Sequence, residues 1–117
     1  MILSIDPTSS APLFEQLAAS VRAEIGRRAL APGERLPAAQ QVAESLEVNI
    51  HTVLRAYQLL RDEGLVDLRR GRGAVITERA TQFSPLASAI PGLVAEARRH
   101  GLGVDQVVSL IRKEFSS

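Results

Sequence analysis

The hydrophobic pattern of the chain changes at Gly64, and that change restricts the fold more than any other feature. Before it, Val53, Ala56, Tyr57 and Leu60 recur at helical spacing along one face. Asn49 stands where an N-cap is expected, with a side-chain oxygen able to accept an orphan backbone N–H. Gly64 suits the left-handed position that ends a helix. These signals predict a helix from about Asn49 to Glu63. After Gly64, Leu65-Val66-Asp67-Leu68-Arg69 and Ala74-Val75-Ile76-Thr77 are β-prone runs joined by Arg70-Gly71-Arg72-Gly73. Two glycines in that connection supply the positive φ angles of a hairpin turn. Upstream, Val42, Ala43 and Leu46 form the inner face of a shorter helix. Leu46-Glu47-Val48-Asn49 joins the two helices through a sharp turn with Val48 as its apolar plug. Helix, tight turn, helix and hairpin in that order predict a winged helix-turn-helix, which lays its second helix into the major groove of double-stranded DNA.

The flanking segments complete an α+β, mostly α, reading. Met1 to Ser10 is an extended lead-in, with Ile2-Leu3-Ser4-Ile5 as a weak edge-strand candidate. Pro12 suits the first position of a helix, and Leu13, Leu17, Val21 and Ile25 follow at i+4 steps. This first helix is expected from about Pro12 to Arg28. Leu30 to Leu36 reads as a loop, with a type II turn at Pro32-Gly33. The wing domain is expected to span residues 1–78. Residues 79–117 form a short two-helix appendage, entered through a linker at Glu78 to Phe83. Its first helix, Pro85 to His100, carries Leu86, Ile90, Leu93, Val94 and Ala97 on one side; Pro91 either kinks it or starts a new helix. Its second, Gly103 to Phe115, carries Val104, Val107, Val108, Ile111 and Phe115 at helical spacing. Two short amphipathic helices cannot bury both faces within one chain, so these ten residues are expected to pair with a second subunit in a homodimer. The competing reading docks them back onto the wing domain.

Charge places the DNA-facing side only locally. Residues 1–78 hold nine Arg and ten Asp or Glu, a net of −1, and residues 79–117 a net of +2. The cations that matter are therefore Arg69, Arg70 and Arg72 around Gly71 at the hairpin tip, which suit phosphate contact. On the reader helix, Asn49, Ile50, His51 and Thr52 begin the segment that would enter the groove. His51 offers a ring N–H to a purine N7, Thr52 a hydroxyl to a phosphate or base, and Ile50 an apolar contact for a thymine methyl. Arg55 is the only cation of the first two turns, and it suits a phosphate or a guanine. Each has a plainer alternative as a solvated surface residue.

The motifs PLFEQL, PGERLP, HTVLRAYQLLRDEGLV and RRGRG, in that order from Pro12 to Thr77, resemble the GntR family of bacterial transcription regulators. The short C-terminal part and the form VNxxTVxxAY resemble its small YtrA-type members in particular. The resemblance implies a homodimeric, sequence-specific regulator, most often a repressor, acting on an inverted-repeat operator. The 39 residues after the wing are too short for the ligand-binding domains of larger members. Were a small-molecule effector to act, its seat would be the dimer interface or the crease between appendage and wing domain. This chain departs from the family pattern at Ala38 and Gln40, where members carry Ser and Arg beside the DNA backbone. It departs again at Glu47, where they carry Gly, and at Ile50 and Leu54, where many carry Arg.

Other function classes find little support. The chain has no cysteine, which removes disulfides, thiol catalysis and cysteine zinc sites. His51 and His100 are the only histidines and lie in different segments, so no metal site and no cofactor are expected. No paired carboxylates, Ser/His/Asp set or phosphate loop stands in a plausible frame, so the chain does not read as an enzyme. No apolar run approaches membrane-spanning length and no signal peptide is evident, so a cytoplasmic protein is expected. The near-neutral charge and the missing arginines leave one rival: a winged-helix protein-interaction or architectural module that does not read sequence.

Overall fold

Residues 3–117 are described by a computed structural model, in which one helix gathers the elements of the first unit. The order is α1 (Leu13–Gly26), α2 (Ala39–Leu46), α3 (Ile50–Asp62), β1 (Val66–Arg69), β2 (Gly73–Ile76), α4 (Ala80–Arg99) and α5 (Val104–Phe115). α3 packs against α1, α2 and β1. Its periodic residues Val53, Ala56, Tyr57 and Leu60 are all buried, facing Leu17, Ala18, Val21 and Ile25 of α1 and Val42 and Ala43 of α2 in one core. The helix-turn-helix thus takes its stability from a shared apolar interior, leaving the opposite face of α3 in solvent.

The helix ends repeat one device. Arg28, Glu47 and Gly64 each follow a helix with positive φ (61°, 57° and 80°). The next backbone N–H in each case reaches back to a carbonyl of the last turn: Ala29 to Glu24, Val48 to Ala43, Leu65 to Leu60. This satisfies carbonyls that would otherwise be orphaned. Only Gly64 adopts the conformation without a Cβ penalty; Arg28 and Glu47 carry the left-handed cost. At the other end of α3, Asn49 Oδ1 accepts the His51 N–H at 2.8 Å, the cap expected from sequence. Ala38 precedes α2 with no side-chain cap. Pro12 is the N-cap residue of α1 rather than its first helical residue, and the helix stops at Gly26, two residues short of the expected end.

β1 and β2 pair antiparallel from Val66 opposite Ile76 to Arg69 opposite Gly73, so the tip is Arg70-Gly71-Arg72. The stretch before α2 is more than a loop. Its Pro32-Gly33 turn has Gly33 at φ 89° and a Glu34-to-Ala31 hydrogen bond, as type II requires. It then runs along the free edge of β2: Gly33 N–H donates to Ile76, Ile76 N–H to Glu34, and Leu36 N–H to Ala74. The sequence expectation of a plain loop missed this pairing because it is set by a partner forty residues away.

The lead-in folds back along α1, with Ser4 N–H on Ser20 Oγ and Asp6 N–H on Gln16 Oε1. Leu3 and Ile5 pack against the core without forming a strand; Ile2 of that edge-strand candidate lies outside the described residues. Hydrogen bonds from the Thr8 hydroxyl and N–H hold the Asp6 carboxyl below its ordinary pKa.

Two compact units divide at Met1–Ala87 and Ser88–Ser117, not at the expected 78/79. The expected linker is instead the start of α4. Ala80 is buried in the core, Phe83 packs beside it, and Ser84 Oγ lies 2.9 Å from the Ile25 carbonyl. The helices also approach closely at Gly26, where an added Cβ would stand 2.6 Å from Ala87 Cβ. α4 runs from Ala80 to Arg99 without a break at Pro91, so one helix, not two, occupies this stretch. The second unit comprises the remainder of α4 and α5, whose first turn is closed by Gln106 Oε1 on the Gly103 N–H. Among the described residues, no helix is long and apolar enough to cross a membrane.

Candidate nucleic-acid interface

The solvent face of α3 is a stripe of His51, Leu54, Arg55 and Gln58, all exposed, at the i, i+3, i+4, i+7 spacing of one helical surface. Of the residues expected to start the reading surface, His51 is exposed. Asn49 spends its side-chain oxygen on the cap. Thr52 is half-buried, and Ile50 packs partly against the core, which limits its reach toward a thymine methyl. Arg55 is not a free cation: its guanidinium carbon lies 3.9 Å from the centroid of the Phe14 ring. Leu13, Phe14, Asn49, His51, Thr52 and Arg55 together line a shallow depression of about 450 Å³.

Beside this stripe, an open groove of about 930 Å³ runs between α3 and the wing. Leu54, Tyr57 and Gln58 form one wall, the hairpin from Leu68 to Ala74 another, and the segment from Arg35 to Ala39 with Gln41 the floor. Gly71, at φ 78°, turns the tip. Arg69 lies 3.2 Å from Asp67 Oδ2 on its own strand, so its charge is partly compensated. Among the described residues, no carboxylate pairs with Arg35, Arg70 or Arg72. Three exposed guanidinium groups therefore border a groove that one side of the α3 stripe also borders.

Two of these residues went unread in the sequence. Gln58 was within reach of helical periodicity, four residues after Leu54. Arg35 stood only within the PGERLP motif, with no role read for it, and its place beside the groove follows from the bridge between Arg35 and Val75. Gln40 is exposed but does not line the groove; its amide lies 3.2 Å from Glu44 Oε1, and its neighbour Gln41 takes the groove side.

The scaffold beneath is held by polar ties. The Tyr57 hydroxyl donates to the Pro37 carbonyl at 2.6 Å, fixing α3 against the entry to α2. Burial pushes the Tyr57 phenol up to about 12. Arg22 of α1 makes a two-point pair with Glu63 at the end of α3, at 2.9 and 2.5 Å. Buried Glu24 is paired with Arg27. The Thr77 hydroxyl donates to the Gly64 carbonyl at 2.6 Å, closing the base of the wing.

The ten residues expected at a subunit interface fall in different settings. Leu86 is exposed but belongs to the first unit. In the second, Ala97 is already buried within the single chain, and Val94 and Val107 are half-buried. Ile90, Leu93, Val104, Val108, Ile111 and Phe115 remain exposed, with Phe115 at 86% and Val104 at 74%, together with Leu110 at 64%, which the sequence reading did not include. Among the described residues, no group of three His, Cys, Asp or Glu side chains is placed to hold a metal ion.

Comparison with known proteins places this architecture. The profile described as "Bacterial regulatory proteins, gntR family" matches residues 13–76, from the start of α1 to the end of β2. The HTH-type transcriptional repressor YtrA of Bacillus subtilis is 29% identical over 99% of this chain and 93% of its own length. The HTH-type transcriptional regulator Rv1152 of Mycobacterium tuberculosis is 35% identical over 86% of this chain and 83% of its own. The solved structure of YtrA from Sulfolobus acidocaldarius, a GntR-family transcription factor, superposes with a TM-score of 0.62 at 33% identity, covering 75% of this chain and all of that one.

Proposed function

The chain belongs to the gntR family of bacterial regulatory proteins, as a YtrA-like regulator, and on that premise we propose that it represses transcription as a homodimer bound to an inverted-repeat operator. The observation that carries this reading is the shared groove: Leu54 and Gln58 of the α3 stripe border the same space as the uncompensated Arg35, Arg70 and Arg72, with exposed His51 on the other side of that stripe. A duplex laid there meets base-reading groups from α3 and phosphate-binding groups from the wing. His51 and Gln58 are the base readers, and Arg35, Arg70 and Arg72 hold the backbone. Thr52 and Arg55 add contacts from the start of the helix.

The second unit supports the dimer. Val104, Val108, Ile111 and Phe115 form an exposed apolar face on α5, of the kind that marks a protein interaction surface when contiguous. A second copy covers it by two-fold symmetry, and the two reader helices then meet half-sites about one helical turn, or a multiple of it, apart. The protein works on the chromosome, in the cytoplasm, and any small-molecule effector acts at the subunit interface.

Sedimentation of the full chain with a duplex carrying its operator tests both parts. Two chains per duplex are expected, with Ile111→Asp reducing the free protein to a monomer and weakening the complex. Monomeric wild-type protein, or an operator complex no more stable than that with random duplex at near-physiological salt, would overturn the reading and favour an architectural module.

A further inference from the structure

Arg55 is tied to a residue 41 positions earlier in the chain. Its guanidinium carbon sits 3.9 Å from the Phe14 ring centroid, a distance at which a cation is attracted by the electron-rich face of the ring. Among the described residues no carboxylate pairs with Arg55. The distinction matters chemically. A carboxylate would occupy the N–H edge of the guanidinium, the part a phosphate needs. A ring takes only the flat face, and the five donors lie in the plane and stay free. Phe14 therefore restrains the side chain without consuming its hydrogen-bonding capacity. Both residues line the same depression as His51 and Thr52, the first-turn groups of α3.

Resting on the DNA-binding reading above, we infer that Phe14 is a positioning residue for DNA recognition: its ring holds Arg55 ready to grip a backbone phosphate beside the start of the reader helix. A long arginine side chain normally loses much rotamer freedom on binding; here part of that loss is already taken in the free protein. The phosphate grip is independent of sequence, so it fixes the register of α3 and leaves base selection to its neighbours.

The test is a double-mutant cycle on the full chain, reading affinity for the operator and for random duplex at several salt concentrations. Phe14→Leu is expected to weaken both complexes by about two- to fivefold, the range of an exposed cation–ring contact. Phe14→Tyr keeps a ring and is expected to keep the affinity. Arg55→Gln is expected to lower the salt slope by about one counterion, and in that background Phe14→Leu should cost nothing further. An equal loss from Phe14→Leu with and without Arg55 would overturn the inference, since Phe14 would then act through the core. So would a loss from Phe14→Tyr equal to that from Phe14→Leu. Thermal unfolding of each variant separates misfolding from lost contact, and Phe14→Met, which removes the ring but keeps an apolar side chain, takes the place of Phe14→Leu in the cycle if that variant does not fold. Failure of the wild-type chain to bind any duplex would instead overturn the DNA-binding reading itself.

Discussion

The Tyr57 hydroxyl, on the third turn of α3, donates to the carbonyl of Pro37 at the entry to α2. This bond crosses the helix-turn-helix at its open end, while the Glu47 turn closes the other. Removing it with Tyr57→Phe is expected to cost about 1 kcal/mol, visible as a lower urea midpoint with unchanged slope. Affinity for DNA should fall with it, because the angle between α2 and α3 loses a restraint.

Tyr57 also sets an alkaline limit. Its phenol ionises at the ordinary 10.0 when unfolded and at about 12 when folded. Between those values the unfolded chain gives up its proton first, so ionisation favours unfolding. Stability due to this group is therefore constant below pH 10 and declines as pH rises toward 12. The urea midpoint of the wild type, measured across that range against Tyr57→Phe, should show the decline in the wild type and not in the variant.

Glu47 holds a left-handed backbone at φ 57° and ψ 45°. A residue with a Cβ is disfavoured there by roughly 1–2 kcal/mol, whereas glycine adds unfolded-state entropy of roughly 0.4–1 kcal/mol. Glu47→Gly is expected to stabilise the chain by the difference, roughly 0.5–1 kcal/mol, read from chemical denaturation. A loss of stability would show that the Glu47 side chain makes a contribution its exposed position does not suggest.

Gly26 is one contact of α1 with the start of α4. A Cβ there would stand 2.6 Å from Ala87 Cβ, so Gly26→Val must push the two helices apart. The expected cost is about 1–3 kcal/mol, as for overpacking elsewhere. A fall in the thermal midpoint checks it.

These sites also show how far sequence alone could reach. The caps at Asn49 and Gly64 and the glycine-bearing tip at Gly71 were legible because each is decided within four or five neighbouring residues, whereas Glu47 stood out only as a departure from the family's glycine. The start of α4 at Ala80 was not. Its helical state depends on burying Ala80, Phe83 and Ser84 against α1, and no local period announces that partner. Pro91 left open a kink or the start of a second helix, and α4 runs through it as one helix. Arg35 and Phe14 were invisible as contributors to the candidate site for a similar reason. One is placed by pairing with β2 and the other by stacking under Arg55, and both relationships span about forty residues. The α3 stripe was half-legible: its buried side was read from the period, and Gln58 on the opposite side followed from the same period but was not drawn.

The central claim is that the α3 stripe reads bases while the wing holds phosphates, and it is tested most directly by selecting bound sequences from a random duplex pool at near-physiological salt. The wild-type chain should recover one inverted repeat. His51→Ala should recover the same repeat with one position relaxed in each half-site, and Arg70→Ala the unchanged repeat at lower affinity, with a salt slope reduced by about 0.9 for the lost phosphate contact. Recovery of no motif by the wild-type chain, or an altered motif from Arg70→Ala with none from His51→Ala, would contradict the assignment.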